Sequence, residues 1–262
     1  MTLILTPLSG IPLIQPGDDL AGLILQALAA QQIVLADGDI LVLAQKIVSK
    51  AEGRVVHLSQ VTPTLQAVAL AASTGKDARL VEVILRESSQ VVRTRPGTII
   101  VEHRLGFVCA SAGVDHSNVN AGSAGAEGEQ MDAEGWVLLL PENPDASAQA
   151  IRQRLEVASG ANLGVLIIDS HGRAWRLGTV GVAIGLAGLP GLVDLRGLPD
   201  LFGFRLRITQ VGVADELAAA SSLVMGQAAE GTPAVHVRGF PYPLREASLQ
   251  ELLRSKEEDL FR

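Results

Sequence analysis

Apolar positions along the chain follow two rhythms, one of about 3.6 residues and one of unbroken short runs. After Pro16-Gly17-Asp18, the spacing of Leu20, Leu23, Ile24, Ala27 and Leu28 predicts a helix to about Ala30, with Asp18 placed to cap its first amides. Asp37-Gly38-Asp39 reads as a turn, and Ile40-Leu41-Val42-Leu43 as a strand buried on both faces. That strand delivers Gln45 to Lys50 at its end. A second strand, Val55 to Leu58, follows Gly53, and an Ala-rich helical stretch runs from Pro63 to about Glu87 with a break near Gly75. Val91 to Arg93 and Thr98 to Glu102 read as strands joined at Pro96-Gly97.

The stretch from Asn120 to Gly135 holds Gly, Ala, Ser and acids with little to bury, and reads as a mobile loop. Trp136 to Leu140 resumes as a strand, and Pro144-Asp145-Ala146-Ser147 opens a helix through Leu155. Val165 to Ile168 is a further buried strand, expected to end at Asp169. Val213 to Met225 is helical, and Ser248-Leu249-Gln250-Glu251 is a capping box for a last amphipathic helix within 244–262. No repeat and no Pro- or Ser-rich linker divides the chain, and strands do not alternate regularly with helices. The pattern therefore predicts an α+β fold rather than a doubly wound sheet.

Composition narrows the function. At 262 residues and 48% hydrophobic, the chain can bury a core without disulfide or metal staples. Aromatics make up only 3%, so stacking platforms for single-stranded nucleic acid are scarce. Twenty-one Lys and Arg against 28 Asp and Glu give a net charge of −7, the wrong sign for a nucleic-acid footprint. Any anionic ligand must be drawn by local cations. The lone Cys109 and the absence of a basic and apolar leader after Met1 point to a cytoplasmic protein. The uncharged stretch Gly178 to Val193 is punctuated by glycines and Pro190 and falls short of the ~20 apolar residues of a membrane span.

Neither G-x-x-x-x-G-K-[ST] nor G-x-G-x-x-G after a strand is present, so any nucleotide site is built differently. Four clusters carry candidate chemistry. In Gln45-Lys46-Ile47-Val48-Ser49-Lys50, amide and ammonium donors suit phosphate oxygens, a solvated loop being the plainer alternative. Cys109 to Asn118 is a run of small residues around Asp115, a hard oxygen ligand for magnesium or manganese, the alternative being an Asx turn made by Asp115 and Asn118. In Asp169-Ser170-His171-Gly172-Arg173 a carboxylate stands beside a hydroxyl, as in metal-assisted phosphoryl transfer, and two such aspartates suit a two-metal clamp. His171 is expected to diverge from Asp169 into a structural or surface role. Met225 to Thr232 carries Gly226 and Gly231 around polar groups, permitting close backbone approach to a base or phosphate, although a helix C-cap explains Gly226 equally well. Cys109 reads as an inert buried thiol.

Taken in order, these segments resemble the coenzyme F420-0:L-glutamate ligase family. The residues concerned are Asp37-Gly38-Asp39-Ile40-Leu41-Val42, Lys46 to Arg54, Ala112 to Val119, Leu139-Leu140-Pro141 with Pro144 to Ala148, Ile168 to Arg176, and Ala214 to Ala220. The resemblance covers roughly residues 3 to 240, with the ligase domain set at 1–243. It implies an α+β fold of mixed, largely antiparallel sheets in an intertwined homodimer. The implied activity is GTP-dependent addition of L-glutamate to coenzyme F420-0 through an acyl phosphate. By position, the metal ligands implied are Asp115, Asp169, Ser170 and Gln227, holding two magnesium or manganese ions, with a monovalent cation such as K+ as a further cofactor. The implied GTP site comprises Ile11, Pro12, Leu13, Ile14, Gln45, Lys50 and Asn118, with Met225, Gly226, Gln227, Ala228, Ala229, Glu230, Gly231 and Thr232. Asp115, Asp169 and Lys50 are the implied catalytic groups.

Three departures from the family pattern stand out. Ala121 to Gly135 is longer than the usual connection, His171 stands where an apolar or other residue is expected, and the chain stops at Arg262 without the flavin-binding nitroreductase-like domain of some relatives. A ligase acting on another acid, and a non-catalytic nucleotide-binding relative, are the competing readings.

Overall fold

A computed structural model describes residues 2–116 and 135–259. In chain order it runs through β1 (Ile4–Leu8), α1 (Leu20–Ala30), β2 (Ile40–Ala44), α2 (Gln45–Ala51) and β3 (Val55–His57). There follow α3 (Leu65–Thr74), α4 (Ala78–Arg86), β4 (Ser88–Arg95), β5 (Thr98–His103), β6 (Val108–Ala110), β7 (Trp136–Leu138) and α5 (Pro144–Ser159). The last part comprises β8 (Gly164–Gly172), β9 (Thr179–Ala187), β10 (Val193–Asp194), β11 (Gln210–Val211), α6 (Val213–Met225) and β12 (Ala234–Arg238).

The principal sheet has the order β1-β12-β2-β8-β9 and is antiparallel except where β2 runs parallel to β8. Because side chains alternate along a strand, β2 and β8 are apolar on both faces and each face takes its own helices. Leu41, Leu43, Val165 and Ile167 pack with Ile24 and Leu28 of α1 and with Ile151 and Leu155 of α5. Val42, Leu166, Ile168 and Val235 pack with Ala214, Leu217 and Ala218 of α6. A separate β4-β5-β6 sheet carries α3 and α4 over Ile99 and Val101. The mixed, largely antiparallel α+β expectation is met. Among the described residues, no helix is long and apolar enough to cross a membrane.

Most elements stand where the pattern put them. Gly75, at φ 69°, closes α3 in a left-handed cap and splits the long Ala-rich stretch into two helices. Pro144 opens α5 behind Asn143, whose side chain accepts the Ala146 amide. Gly185 is required by close approach, since a Cβ there would collide with the Pro144 backbone. Four expectations are corrected. Asp19, not Asp18, caps α1 by accepting from Gly22 N at 3.0 Å, while Asp18 accepts from Gln15 N. The end of β2 continues as α2 rather than as a loop. Strand β8 does not end at Asp169 but pairs with β9 out to Gly172, because cross-strand bonding continues after the apolar run has left the core. Among the described residues no α-helix follows Ser248: Leu249–Leu252 is one 3-10 turn without a side-chain cap. Glu251 is instead held by Arg245 and by the amides of Gly191 and Leu192, so it cannot close a capping box. The 120–135 loop lies, but for Gly135, outside the described residues.

At the start of β2, Asp39 is 1% exposed and is surrounded by donors. It accepts from Ala36 N at 2.9 Å, from Arg238 Nε at 2.9 Å and from Arg238 Nη2 at 2.6 Å, and His236 Nε2 stands 2.8 Å away. Burial pushes its pKa up, but the bonds from Arg238, His236 and Ala36 outweigh burial and hold it below the ordinary 3.8. This cluster ties β12 to β2 far from their other ends. Asp39→Asn, which removes the buried charge and strands its partners, is expected to cost about 3–5 kcal/mol in urea unfolding at neutral pH. The wild-type contribution is complete above the unfolded-state pKa and is lost as pH falls through the lower folded-state value. The stability gap to the variant should therefore close below about pH 4.

Candidate functional site

The register of the principal sheet decides which loops meet. Ala44 of β2 aligns with Ile168 of β8, so Gln45 leaves the sheet at the level where β8 loses β2 as a neighbour and runs on with β9 alone through Asp169. Ala234, the first residue of β12, pairs with Leu43 and with Leu8, the last residue of β1. The segment after β1, the start of α2, the outer half of β8 and the loop leading into β12 thus emerge along one edge. Those four places hold the described candidate residues except Lys50, near the end of α2, Met225, which closes α6, and Asp115, which is tied to α2 by an ion pair.

Helix α2 carries two cations one turn apart. Lys46 Nζ lies 2.7 Å from Asp115 Oδ2. Lys50 is half-buried, and its pKa is lowered from 10.5 first by burial and then by the positive charge of Lys46. Gln45 is buried, with its side-chain oxygen accepting from Ser49 Oγ at 2.8 Å, so its role begins as an internal brace of the helix. Asp115 itself is pinned through its backbone, which exchanges hydrogen bonds of 3.0 and 2.9 Å with Leu138. The approach to it is strained, because Ser111, Ala112 and Gly113 occupy the left-handed region at φ 51°, 53° and 65°. Two of the three are not glycine, and each costs about 1–2 kcal/mol.

Asp169 and Ser170, as neighbours in β8, project to opposite sides of the strand. Ser170 Oγ donates to Gln227 Oε1 at 2.9 Å, and Gln227 Nε2 donates to Ser222 Oγ at 2.8 Å, which ties β8 to the loop after α6. In that loop Gly226 has φ 75°, Met225 is buried, and Thr232 Oγ1 donates to the Met225 carbonyl. Glu230 folds back on Ala228 N, and that amide with those of Glu230 and Gln227 lowers its pKa, leaving Ala228, Ala229 and Gly231 exposed around it. After β1, Ile14 anchors a turn on which Pro12 and Leu13 are exposed and Ile11 half-buried, and Gly17 N reaches the Ala51 carbonyl of α2. Asn118 lies outside the described residues.

The expectation that His171 diverges from Asp169 is overturned. As β8 continues past Asp169, residues 169 and 171 share a face, and His171 Nε2 lies 3.0 Å from Asp169 Oδ2. The Phe107 ring tilts against His171 at 5.4 Å and stacks on buried His103 at 5.1 Å. Burial holds the His103 pKa down at about 4, against the pull of Glu87. Burial, then the charge of Asp169, push the Cys109 thiol up to about 12, in keeping with an inert thiol. Period-two spacing was the signal for the 169 and 171 pairing; no local signal joins Lys46 to Asp115. Among the described residues, no three His, Cys, Asp or Glu side chains converge as a metal site. The structure brings Ser170 and Gln227 together on one face of β8, with Asp169 beside His171 on the other and Asp115 on Lys46; as donor types, two carboxylates, a hydroxyl and an amide oxygen are the hard oxygen ligands that magnesium or manganese takes.

Comparison with known proteins bears on this edge. A family profile described as F420-0:Gamma-glutamyl ligase matches residues 10–239. The chain is 48% identical over 264 residues to the coenzyme F420:L-glutamate ligase of Methanothermobacter thermautotrophicus, covering 100% of both chains. It is 47% identical to that of Methanopyrus kandleri over 95% of this chain and 93% of the relative. It is 41% identical to that of Archaeoglobus fulgidus over 98% and 95%.

The two-lysine arrangement has a testable consequence. Replacing Lys46 by Met removes the smaller of the two influences on Lys50. Its pKa should then rise part of the way toward 10.5 and stop short of it, since burial remains. Side-chain NMR of labelled lysines reads the shift; an unchanged or lowered value would contradict the electrostatic assignment.

Proposed function

Because the chain belongs to the F420-0:gamma-glutamyl ligase family, we propose that it is a GTP-dependent amide ligase of coenzyme F420 biosynthesis, adding L-glutamate to coenzyme F420-0 and extending the product with further γ-linked glutamates. The observation that carries this reading is the common edge: every described candidate group leaves the sheet there or is tied to it. In the reaction proposed, the terminal carboxylate of the acceptor takes the γ-phosphoryl group of GTP and releases GDP. The amine of glutamate then attacks the acyl phosphate, gives up a proton and displaces phosphate.

This chemistry demands positioning and charge neutralisation more than a strong nucleophile. Lys46 and Lys50 supply positive charge where an acidic chain most needs it. Asp115, Asp169, Ser170 and Gln227 are proposed to hold divalent cations, which when bound would offset the phosphate charge. Ile11 to Ile14, Gln45, Asn118 and Met225 to Thr232 are proposed to cradle the nucleotide. A monovalent cation such as K+ belongs to the same reading.

We further propose a cytoplasmic homodimer. Support for the dimer comes from the arm between β10 and β11, which presents Leu201 at 98% and Phe202 at 96% exposure at its tip and an exposed Ile208 nearer its base. Apolar surface of this kind marks an interaction face.

The test is incubation of the purified protein with coenzyme F420-0, L-glutamate, GTP and manganese or magnesium, read by mass spectrometry. A GTP-dependent ladder of glutamate-sized increments is expected. Asp115→Asn and Asp169→Asn should each cut the rate about 100-fold or more while the fold persists. No ladder despite metal-dependent GTP binding would indicate another acceptor acid; neither binding nor turnover would indicate a non-catalytic relative.

A further inference from the structure

His171 is a largely buried imidazole that the proposed reaction does not use. Its side chain is 12% exposed and lies on the same face of β8 as Asp169. Nε2 is buried and has no hydrogen-bond partner, although Asp169 Oδ2 stands 3.0 Å away. The two atoms are close but not aligned as donor and acceptor. A buried ring nitrogen without a partner is costly, so this arrangement calls for a third body.

The separation identifies one. Two ligands at right angles on a cation, each with a bond of about 2.1 Å, stand about 3.0 Å apart. Phe107 fixes the ring at 5.4 Å and is itself stacked on His103, so the imidazole is held in place beside the carboxylate. Strand continuation past Asp169 is what turns the nitrogen to that side.

We propose that His171 Nε2 is a nitrogen ligand of a divalent cation shared with Asp169, giving this chain a site that favours manganese-class transition metals over magnesium. The inference rests on the reading that Asp169 holds a divalent cation, and it adds a ligand of a different chemical kind. Imidazole suits first-row transition ions, whereas magnesium takes oxygen donors and keeps its waters. An all-oxygen set would bind manganese without a nitrogen neighbour.

The test uses the full chain loaded with manganese alone, without nucleotide, and pulsed electron paramagnetic resonance to detect nitrogen coupled to the ion. Wild type should show one imidazole-type nitrogen coupling, absent in His171→Ala and in the better-packed His171→Gln. Manganese affinity should fall about 10-fold or more in both variants while magnesium affinity changes less than about 3-fold. Circular dichroism establishes that the variants fold. Bound manganese without nitrogen coupling in wild type, or coupling that survives both substitutions, overturns this inference alone. Failure of manganese to bind overturns it together with the proposed metal site. Ligation assayed in the same preparations reports separately on the proposed reaction.

Discussion

The parallel pairing of β2 with β8 is the constraint on which the rest of the molecule depends. Both strands are apolar on both faces, so their register is held by two cores at once, and a slip of one residue would turn every side chain to the wrong layer. With Ile40 opposite Gly164 and Ala44 opposite Ile168, the strands finish together. Every chemical group is carried by the segments just beyond those ends or tied to them. Helix α2 starts where β2 stops, and β8 runs on beyond the core to present Asp169, Ser170 and His171.

The same pairing gives the sheet two edges of opposite electrostatic character. At the start of β2, Asp39 is surrounded by an amide, a guanidinium and an imidazole, and its charge is settled inside the fold. At the far edge, Lys50 is half-buried beside a like charge, His171 Nε2 is buried without a hydrogen bond, and Ser111 and Ala112 sit in a conformation that non-glycine residues rarely adopt. Strain and unmet hydrogen bonds are not confined to that end, since Gln32 has φ 58° and Gln31 Nε2 is buried without a partner near the Asp39 cluster. What differs between the two ends is charge: the Asp39 carboxylate is neutralised inside the fold, whereas Lys46 and Lys50 place two like charges one turn apart.

Much of this was legible in the sequence where the signal is local. The Ile40 to Leu43 run, the break at Gly75, the turn at Pro96-Gly97 and the opening of α5 at Pro144 each depend on residues within a few positions, and each stands as expected. Failures came where a distant partner decides. Asp18 and Asp19 are equally good caps by spacing, and the one that caps Gly22 N is the one whose carboxylate is also held by Arg154 of α5. Glu251 has capping-box spacing, but Arg245 and two amides before β10 hold it elsewhere. The polar residues after Ile168 look like a strand end until β9 pairs with them. The candidate groups themselves were legible as residue types after apolar runs. Their partners were not, since Lys46 meets Asp115, and Ser170 meets Gln227, only through the folded sheet.

Charge explains why the chemical edge is built around a short helix rather than a field spread over the molecule. With a net charge of −7 the chain repels anions at long range, and salt screens that field beyond about 10 Å. Attraction must therefore act at contact distance. Lys46 and Lys50, one turn apart on α2, repel each other, and this repulsion adds to burial in lowering the pKa of Lys50. The Asp115 carboxylate relieves that repulsion at 2.7 Å from Lys46. The short helix thus keeps two positive charges and one carboxylate within contact distance of one another, where neither the net charge of the chain nor bulk salt cancels them.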